Sequence, residues 1–338
     1  MKKLIIFSEN KDQSTSKIVR WINFYNYDVV RINIDDKELD VLKFHSNCLK
    51  LQTSNGYVDI MIDDIVWFRR FSSSTSFFLK GSSSNYEDSL KMFEFHEKSN
   101  VFLSFIHFIR LKCKVICDPV FLSVNKTHVL LEAEKIGITC PQWLITNNRK
   151  ELTAFFQKHE LIVNKTFNQF SFYSNKNYSK VLASLLTKDD LDKIPNTFNS
   201  GFFQRYIPKK YELRIFFFEN TFFSMAIFSQ NDEQTKVDFR NYNRKKPNRS
   251  IPVTIPENYK KKLIELAKKL SLQSGSFDVL VTDDDKYYFL EVNPIGQFGM
   301  VSFPCNYQIE KFIAESLIQK IDNSFKNEKA FVIQRPHD

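Results

Sequence analysis

Two apolar runs enclose a short acidic segment near the carboxyl end of the chain, and this pattern predicts an antiparallel hairpin. The acidic segment is Asp283–Lys286. If the two residues at its centre form the turn, Asp278 lies directly across from Glu291, and Asn293 shares that face. Facing carboxylates repel each other, so a divalent cation such as Mg²⁺, which prefers oxygen ligands, would stabilise the pair. The alternative is an ordinary exposed hairpin with an acidic tip.

Composition describes a globular chain with a large core. The 338 residues are 43% hydrophobic, with 35 phenylalanines against seven glycines. This length is enough for about two or three sub-domains. The net charge of +9 favours a polyanionic partner such as nucleotide phosphates, an acidic peptide or nucleic acid. Because no basic stripe alternates with exposed aromatic residues, nucleic acid is the weakest of these partners.

The sequence carries no signal for secretion or membrane insertion. The five cysteines show neither the paired spacing of a zinc site nor a disulfide framework. The apolar run in the amino-terminal segment MKKLIIFSEN is too short for a secretory signal, and no stretch reaches the roughly 18 apolar residues of a membrane span. We therefore expect a cytoplasmic protein with no membrane partner.

Strand and helix patterns divide the chain into three predicted parts and a tail. Residues 1–118 alternate short apolar runs with helical patterns, which favours an α/β domain with a largely parallel sheet. Residues 119–203 and 204–325 read as α+β regions, and 326–338 as a tail. The Ser-rich segment 71–85 is predicted to be a surface loop.

Individual elements follow from apolar periodicity and turn signals. A hairpin at 49–62 is predicted to turn at Asn55-Gly56, and a capped helix within 123–138 to close at Gly137. The other predicted strands are 3–7, 28–32, 65–68, 114–117, 143–145, 161–165, 202–206, 213–218 and 221–228, and the other predicted helices cover 16–25, 88–111, the region of Leu263–Leu270, and 307–321.

Two lysines precede the acidic hairpin at positions that suit an anion. Lys126 lies in the first turn of a predicted helix, where a cation opposes the helix dipole unless an anion lies nearby. A phosphate group would supply that anion. Lys165 ends the apolar strand LIVNK, where a lysine that simply extends into water is an equally good interpretation.

Two charged residues interrupt a strongly apolar strand. Glu212 and Arg214 share one face, and charges in such surroundings need partners. They form an ion pair with each other, or Glu212 binds ribose hydroxyls and Arg214 binds phosphoryl oxygens, a role that suits a guanidinium group. Further along, Arg240 stands beside hydrogen-bonding side chains in DFRN, which is a second phosphoryl-binding candidate or a simple turn.

The order of these residues resembles the ATP-grasp superfamily: two lysines, a hinge-like QRYI, Glu-x-Arg, then Asp and Glu-x-Asn. The resemblance covers about residues 119–325. It implies an α/β and α+β ATP-grasp fold with an N-terminal α/β (pre-ATP-grasp) domain, in which 119–203 bears the lid and 204–325 the metal site. The resemblance implies that Lys126 and Lys165 bind the ATP phosphates and that Glu212 binds the ribose. The adenine would be bound by Gln204, Arg205, Tyr206 and Ile207, and two Mg²⁺ ions by Asp278, Glu291 and Asn293. Arg214 and Arg240 would stabilise the transferred phosphoryl group.

Four strings are similar to the microviridin-type peptide-maturing ligases, also called grasp-with-spasm enzymes or graspetide synthetases: WFRRF, KYELRIFFF, VDFRNYN and EVNPIGQFGMVSFPCNY. The resemblance implies an ATP-dependent macrocyclase, a homodimer, that joins acidic side chains of a precursor peptide, with a leader and an acidic core, to its own Thr, Ser or Lys side chains. Arg69, Arg70, Arg214 and Arg240 are the candidates to hold the peptide's carboxylates. Because Arg69 and Arg70 are successive on a strand, at most one of them reaches a shared cleft.

Other readings stay open at this point. One is an ATP-grasp ligase that adds a free amino acid to a peptide or protein carboxylate. Another, of a different class, is a non-enzymatic basic protein that binds nucleic acid. The loop after Lys165, TFNQFSFYSNKN, has no glycine, whereas many ATP-grasp enzymes use glycines where backbone amides must approach phosphate closely.

Overall fold

The computed structural model describes residues 2–71, 86–167, 171–174 and 177–325. The predicted Ser-rich loop, except its first residue, and the predicted tail lie outside the described residues, as does part of the glycine-free loop. No helix of the described residues combines the length and the apolar character that a membrane crossing requires.

The amino-terminal part contains a parallel sheet of four strands in the order β2-β1-β6-β7. This confirms the predicted parallel sheet. A second sheet is an antiparallel meander, β3-β4-β5. Its second hairpin pairs Thr53 with Gly56, so the predicted turn is wrong by one residue and centres on Ser54-Asn55. The elements are β1 (Leu4–Ser8), α1 (Gln13–Phe24), β2 (Val29–Asn33), β3 (Asp40–His45), β4 (Cys48–Thr53), β5 (Gly56–Met61), β6 (Ile65–Phe68), α2 (Tyr86–Lys112) and β7 (Lys114–Ile116).

The central part contains an antiparallel sheet in the order β12-β9-β13-β8 and a separate hairpin, β10-β11. Its last strand ends at Arg205, two residues beyond the boundary proposed at 203. A 3₁₀ turn at Pro119–Phe121 precedes the first helix of this central part. The elements are α3 (Lys126–Lys135), β8 (Trp143–Asn148), α4 (Arg149–His159), β9 (Ile162–Lys165), β10 (Ser171–Ser174), β11 (Asn177–Lys180), β12 (Ser184–Leu186), α5 (Lys188–Lys193) and β13 (Thr197–Arg205).

The carboxyl-terminal part is built on an antiparallel sheet of five strands in the order β16-β15-β14-β17-β18. β14 is the central strand of this sheet, and other elements pack against it on both faces of the sheet. The elements are β14 (Tyr211–Phe218), β15 (Thr221–Phe228), β16 (Arg249–Pro252), α6 (Glu257–Lys269), β17 (Ser274–Val281), β18 (Tyr287–Asn293), α7 (Gly299–Ser302) and α8 (Ile309–Ile321).

Alternation along β14 divides the core into two layers. Ile215 and Phe217 pack with α6 and with the buried face of α3, whereas Phe216 and Phe218 pack with α1 and α8. The amino-terminal domain is therefore joined to the carboxyl-terminal sheet by a continuous apolar core. Since side chains two residues apart share a face, Glu212 and Arg214 lie on the same face as Phe216.

The hairpin β17-β18 has a longer turn than predicted. Val281 pairs with Tyr287, and the Thr282 amide donates to the Lys286 carbonyl (3.1 Å). The Asp285 amide donates to the Thr282 carbonyl (2.9 Å), so the turn has three residues, 283–285, and not two. Asp285 adopts a left-handed φ of 56°. A bulge further along the hairpin adds one residue to β18, and Asp278 consequently faces Glu291. The predicted pair is confirmed, and the predicted turn is wrong.

Candidate active site

A cavity of about 460 Å³ receives side chains from the central part, from the carboxyl-terminal sheet and from the amino-terminal domain. Eight of the predicted site residues line it. They are Arg70, Lys126, Lys165, Glu212, Arg240, Asp278, Glu291 and Asn293.

Glu291 lies at the centre of the cavity's charges. One of its oxygens lies 3.6 Å from the Lys126 Nζ and the other 3.7 Å from the Arg240 Nη1. Burial alone would raise the pKa of this carboxyl group, but Lys126, Lys165 and Arg240 outweigh burial and lower it. Glu291 is therefore ionised at neutral pH.

Asp278 is buried, and its carboxylate forms an ion pair with an arginine on the neighbouring strand. Arg214 lies opposite it in the β14-β17 register and places Nη1 2.6 Å from both carboxylate oxygens. Burial raises the pKa of Asp278, Arg214 opposes that rise, and the nearby Glu291 adds to it. Two carboxylates thus meet on one wall, one of them held by a buried guanidinium.

Glu212 has a different partner from the one that its spacing suggested. Its carboxylate accepts hydrogen bonds from the Lys209 ammonium and from the Ser229 hydroxyl (2.7 Å), while Arg214 pairs with Asp278. The predicted alternative of a Glu212–Arg214 pair is wrong because cross-strand neighbours lie closer than residues two apart on one strand. Sequence reasoning missed Lys209, and no sequence signal separates it from the adjacent lysine.

Lys126 begins α3, as predicted. The preceding Asn125 caps the helix by accepting from the His128 amide (3.1 Å), which directs Lys126 into the cavity. Its ammonium group donates to the Thr166 carbonyl (2.7 Å). Burial lowers the pKa of Lys126, and Glu291 partly restores it.

Lys165, at the end of β9, is half-buried. Burial lowers its pKa to about 8, with Glu291 opposing this effect. The ammonium group donates to Gln204 Oε1 (2.6 Å). The amide nitrogen of Gln204 is buried, and in the described part of the chain it has no hydrogen-bond partner. This buried donor beside the ammonium group of Lys165 suits an incoming acceptor.

The hinge-like segment does not line the cavity. Arg205 and Tyr206 donate their backbone amides to the carbonyls of Gln142 (2.8 Å) and Leu161 (2.9 Å), and Ile207 is buried. The segment leaves the central sheet at the end of β13 and continues towards β14. It is therefore the covalent link between the two regions that supply the cavity's charges.

Arg240 is held by the carboxylate two residues before it. Asp238 accepts from the Arg240 Nε (2.8 Å) and Nη2 (2.7 Å), and from the Ala183 amide (3.3 Å). Although burial lowers the pKa of Arg240, Asp238 and Glu291 raise it further than burial lowers it. Sequence reasoning identified this arginine but missed the role of Asp238 as its support.

The two successive arginines follow β6, which ends at Phe68, so the prediction that they lie on a strand is wrong, although only one of them lines the cavity, as expected. Arg70 lines the cavity, with its Nε 3.3 Å from an oxygen of Asp12. Arg69 is 3% exposed and donates to the backbone carbonyls of Ile295 and Gly296. Only Arg70 is placed to meet a ligand in this cavity.

The donor set fits a hard divalent cation. Asp278, Glu291 and Asn293 present carboxylate and amide groups on one wall, and Mg²⁺ prefers such oxygen ligands. Within the described residues, no group of three or more His, Cys, Asp or Glu side chains is arranged for a metal ion. This set therefore suits Mg²⁺ that arrives with oxygen ligands of its own, as with a nucleotide triphosphate.

Comparison with known proteins places this fold. No family model and no curated protein sequence matches the chain. A RiPP-associated ATP-grasp ligase from Chryseobacterium gregarium, in complex with ADP and a leader and core peptide, is 24% identical with a TM-score of 0.77, covering 95% of this chain and 97% of that one. The macrocyclase MdnC from Microcystis aeruginosa MRC, bound with its precursor peptide MdnA, is 25% identical with a TM-score of 0.75, covering 94% and 99%.

A third solved structure, the ATP-grasp ligase PsnB with a phosphomimetic variant of a minimal precursor, Mg and ADP, is 14% identical with a TM-score of 0.71. It covers 95% of this chain and 99% of that chain. These similarities extend over 94–95% of this chain. The predicted ATP-grasp fold is confirmed.

Proposed function

We propose that this chain is an ATP-dependent ligase that activates Asp or Glu side chains of a ribosomal precursor peptide as acyl phosphates. It joins them to Thr or Ser hydroxyls or Lys amines of the same peptide, which forms side-chain ester or amide macrocycles. The observation that carries the proposal is the meeting of Asp278 and Glu291 with Lys126, Lys165 and Arg240 around one cavity. The solved proteins of the same fold that bind ADP and peptides support it.

In this proposal the nucleotide spans the two regions that supply the cavity. Lys126 and Lys165 hold its phosphates and Glu212 the ribose. The adenine is assigned to the segment from Gln204 to Ile207, which reaches the cavity through the contact of the Gln204 side chain with Lys165. Asp278, Glu291 and Asn293 hold two Mg²⁺ ions, which neutralise phosphate charge when bound. The buried amide nitrogen of Gln204 is a ready donor for this ligand.

The chemistry needs positioning and charge stabilisation and no covalent nucleophile from the protein. A peptide carboxylate oxygen bonds to the γ-phosphorus, the bond from that phosphorus to the β-phosphate oxygen breaks, and ADP leaves. A hydroxyl or amine of the same peptide then bonds to the acyl carbon, the bond from that carbon to the phosphate oxygen breaks, and the proton of the nucleophile leaves with the released phosphate. Arg240 lines the cavity and Arg214 lies behind Asp278, and we assign both to the transferred phosphoryl group.

The peptide is proposed to enter from the side of the amino-terminal domain. Arg70 and Arg240 are the cavity arginines that suit its carboxylates, whereas Arg69 is committed to backbone carbonyls. The net charge of +9 favours an acidic peptide. We also propose that the chain forms a homodimer, as the family resemblance implies. Its domain boundaries are proposed to lie at residues 118, 203 and 325.

Mass spectrometry tests the proposal. The chain is incubated with Mg-ATP and a short peptide from a neighbouring reading frame whose tail is rich in Thr and Glu or Asp. The expected product has lost one water per ring. A gain of an amino-acid mass would indicate the free-amino-acid ligase instead. Steeply salt-dependent binding to DNA or RNA with no peptide product would indicate the nucleic-acid-binding protein.

A further inference from the structure

The loop that follows β18 is held from two sides. The amides of Ile295 and Gly296 donate to the side-chain oxygen of Asn293 at 3.0 and 3.3 Å. The carbonyls of the same two residues accept from the two terminal nitrogens of Arg69, with the Gly296 contact at 2.8 Å. Asn293 and Arg69 therefore fix the same two residues through opposite ends of their peptide groups.

Arg69 is built into this position and is not an incidental contact. It comes from the end of β6 in the amino-terminal domain, is 3% exposed, and lies over the Phe298 ring at 5.0 Å. Burial lowers its pKa to about 10, with Asp12 opposing that effect. Burying a guanidinium group against neutral carbonyls costs free energy. Its planar pair of terminal nitrogens can donate to two successive carbonyls at once, which fixes the geometry of this loop.

The loop has little freedom on its other side. Gly296 has a φ of +55°, and a Cβ at this position would lie 2.9 Å from the backbone carbonyl carbon of Gly275. Gly275 is in β17, next to the residue that pairs with Asn293. The loop is thus pressed between Arg69 and the strand that carries Asp278.

We propose that Arg69 is a positioning residue, which holds Asn293 in the orientation that the Mg-nucleotide requires through the backbone of Ile295 and Gly296. The inference rests on the proposed function of Asn293 as a metal-binding residue. It also makes the metal site depend on the amino-terminal domain, because Arg69 reaches it from the end of β6. Lysine cannot replace this arginine, since a single ammonium group lacks the fork that spans two carbonyls.

The test uses the full chain without any peptide. A fluorescent ADP analogue is titrated with Mg²⁺ against the wild type and Arg69→Lys, and hydrogen exchange is measured over residues 293–299. We expect the Mg²⁺ concentration at half-maximal binding to rise about tenfold or more, with faster exchange at Ile295 and Gly296. Arg110→Lys, a matched change at an arginine paired with Asp118 (2.8 Å), leaves both unchanged.

Each outcome decides the inference. A folded Arg69→Lys protein with the wild-type Mg²⁺ midpoint overturns it, even if the loop exchanges faster. If that variant does not fold, Phe298→Leu removes the ring beneath the guanidinium and should raise the midpoint by a smaller factor; an unchanged midpoint overturns the inference. A wild type that binds the ADP analogue without any need for Mg²⁺ contradicts the proposed function itself.

Discussion

Lys126, the first residue of α3, places its ammonium group 3.6 Å from the carboxylate of Glu291 on β18. The contact joins a helix amino terminus to the strand that ends in Asn293. Arg240 approaches the other oxygen of the same carboxylate at 3.7 Å. Glu291 is therefore where the proposed phosphate-binding and metal-binding groups meet, and removing its charge is the first test.

We predict that Glu291→Gln lowers the rate of Mg-ATP-dependent loss of water from the peptide by at least about a hundredfold. Residues that only orient a metal ligand typically change metal affinity or activity by about 10–100-fold, and loss of the ligand itself should cost more. The fold should persist, since glutamine has nearly the same shape. Peptide mass spectra and circular dichroism measure the two effects. Glu132, which pairs with Lys135 and does not line the cavity, gives the control Glu132→Gln. Wild-type turnover in the Glu291 variant would remove the metal assignment.

Nucleotide binding should take up protons near pH 8. Burial holds the pKa of Lys165 at about 8, below its ordinary value, so the free protein loses this charge as pH rises through that value. A bound phosphate raises the pKa again, and a proton is taken up. ADP affinity should consequently fall between about pH 7 and pH 9.

Calorimetry in buffers of different ionisation enthalpy measures this proton uptake. Lys165→Met should abolish it, while Lys158→Met, on the outer face of α4, should leave it intact. Equal uptake in the Lys165 variant would assign the proton to another group.

Asp238→Asn should destabilise the fold. It replaces one oxygen of a buried carboxylate that holds Arg240 and the Ala183 amide, and losing a charge-assisted bond of this kind costs about 1–3 kcal/mol. Urea unfolding measures the change. Asp192→Asn, at an exposed pair with Arg149, should cost no more than about 1 kcal/mol. Equal effects would mean that Asp238 is not the support of Arg240.

Two glycines with positive φ allow the cost of backbone strain to be measured apart from the cost of a steric clash. Gly137 has a φ of +73°, and the nearest atom to an added Cβ is the Lys262 Nζ at 3.5 Å. Gly137→Ala should therefore cost only the backbone strain, about 1–2 kcal/mol. Gly296→Ala should cost more, because its Cβ would meet the backbone of Gly275 at 2.9 Å. Thermal unfolding compares them, and an equal loss would show that the loop can move away from β17.

The sequence predicted those features that depend on local periodicity and pairing. The Asp278–Glu291 pair followed from the alternation of the hairpin, although two errors cancelled: the turn is one residue longer, and a bulge restores the register. The helix α4 was missed, although Asn148 caps it and Glu151 follows at the spacing of a capping motif.

Partners from distant segments were beyond such reasoning. Lys209 and Lys210 are adjacent and chemically identical, yet the first is buried on Glu212 and the second is an exposed partner of Asp285. Only the tertiary placement of β14 decides between them. Similarly, the spacing of Glu212 and Arg214 suggested a pair, but cross-strand packing gave Arg214 to Asp278.

A crystal structure with ADP and Mn²⁺, located by its anomalous scattering in place of Mg²⁺, tests the metal assignment most directly. We expect a peak within coordination distance of the Asp278, Glu291 and Asn293 side chains, next to the nucleotide phosphates beside Lys126 and Lys165. A nucleotide bound elsewhere, or a peak remote from these three side chains, would contradict it.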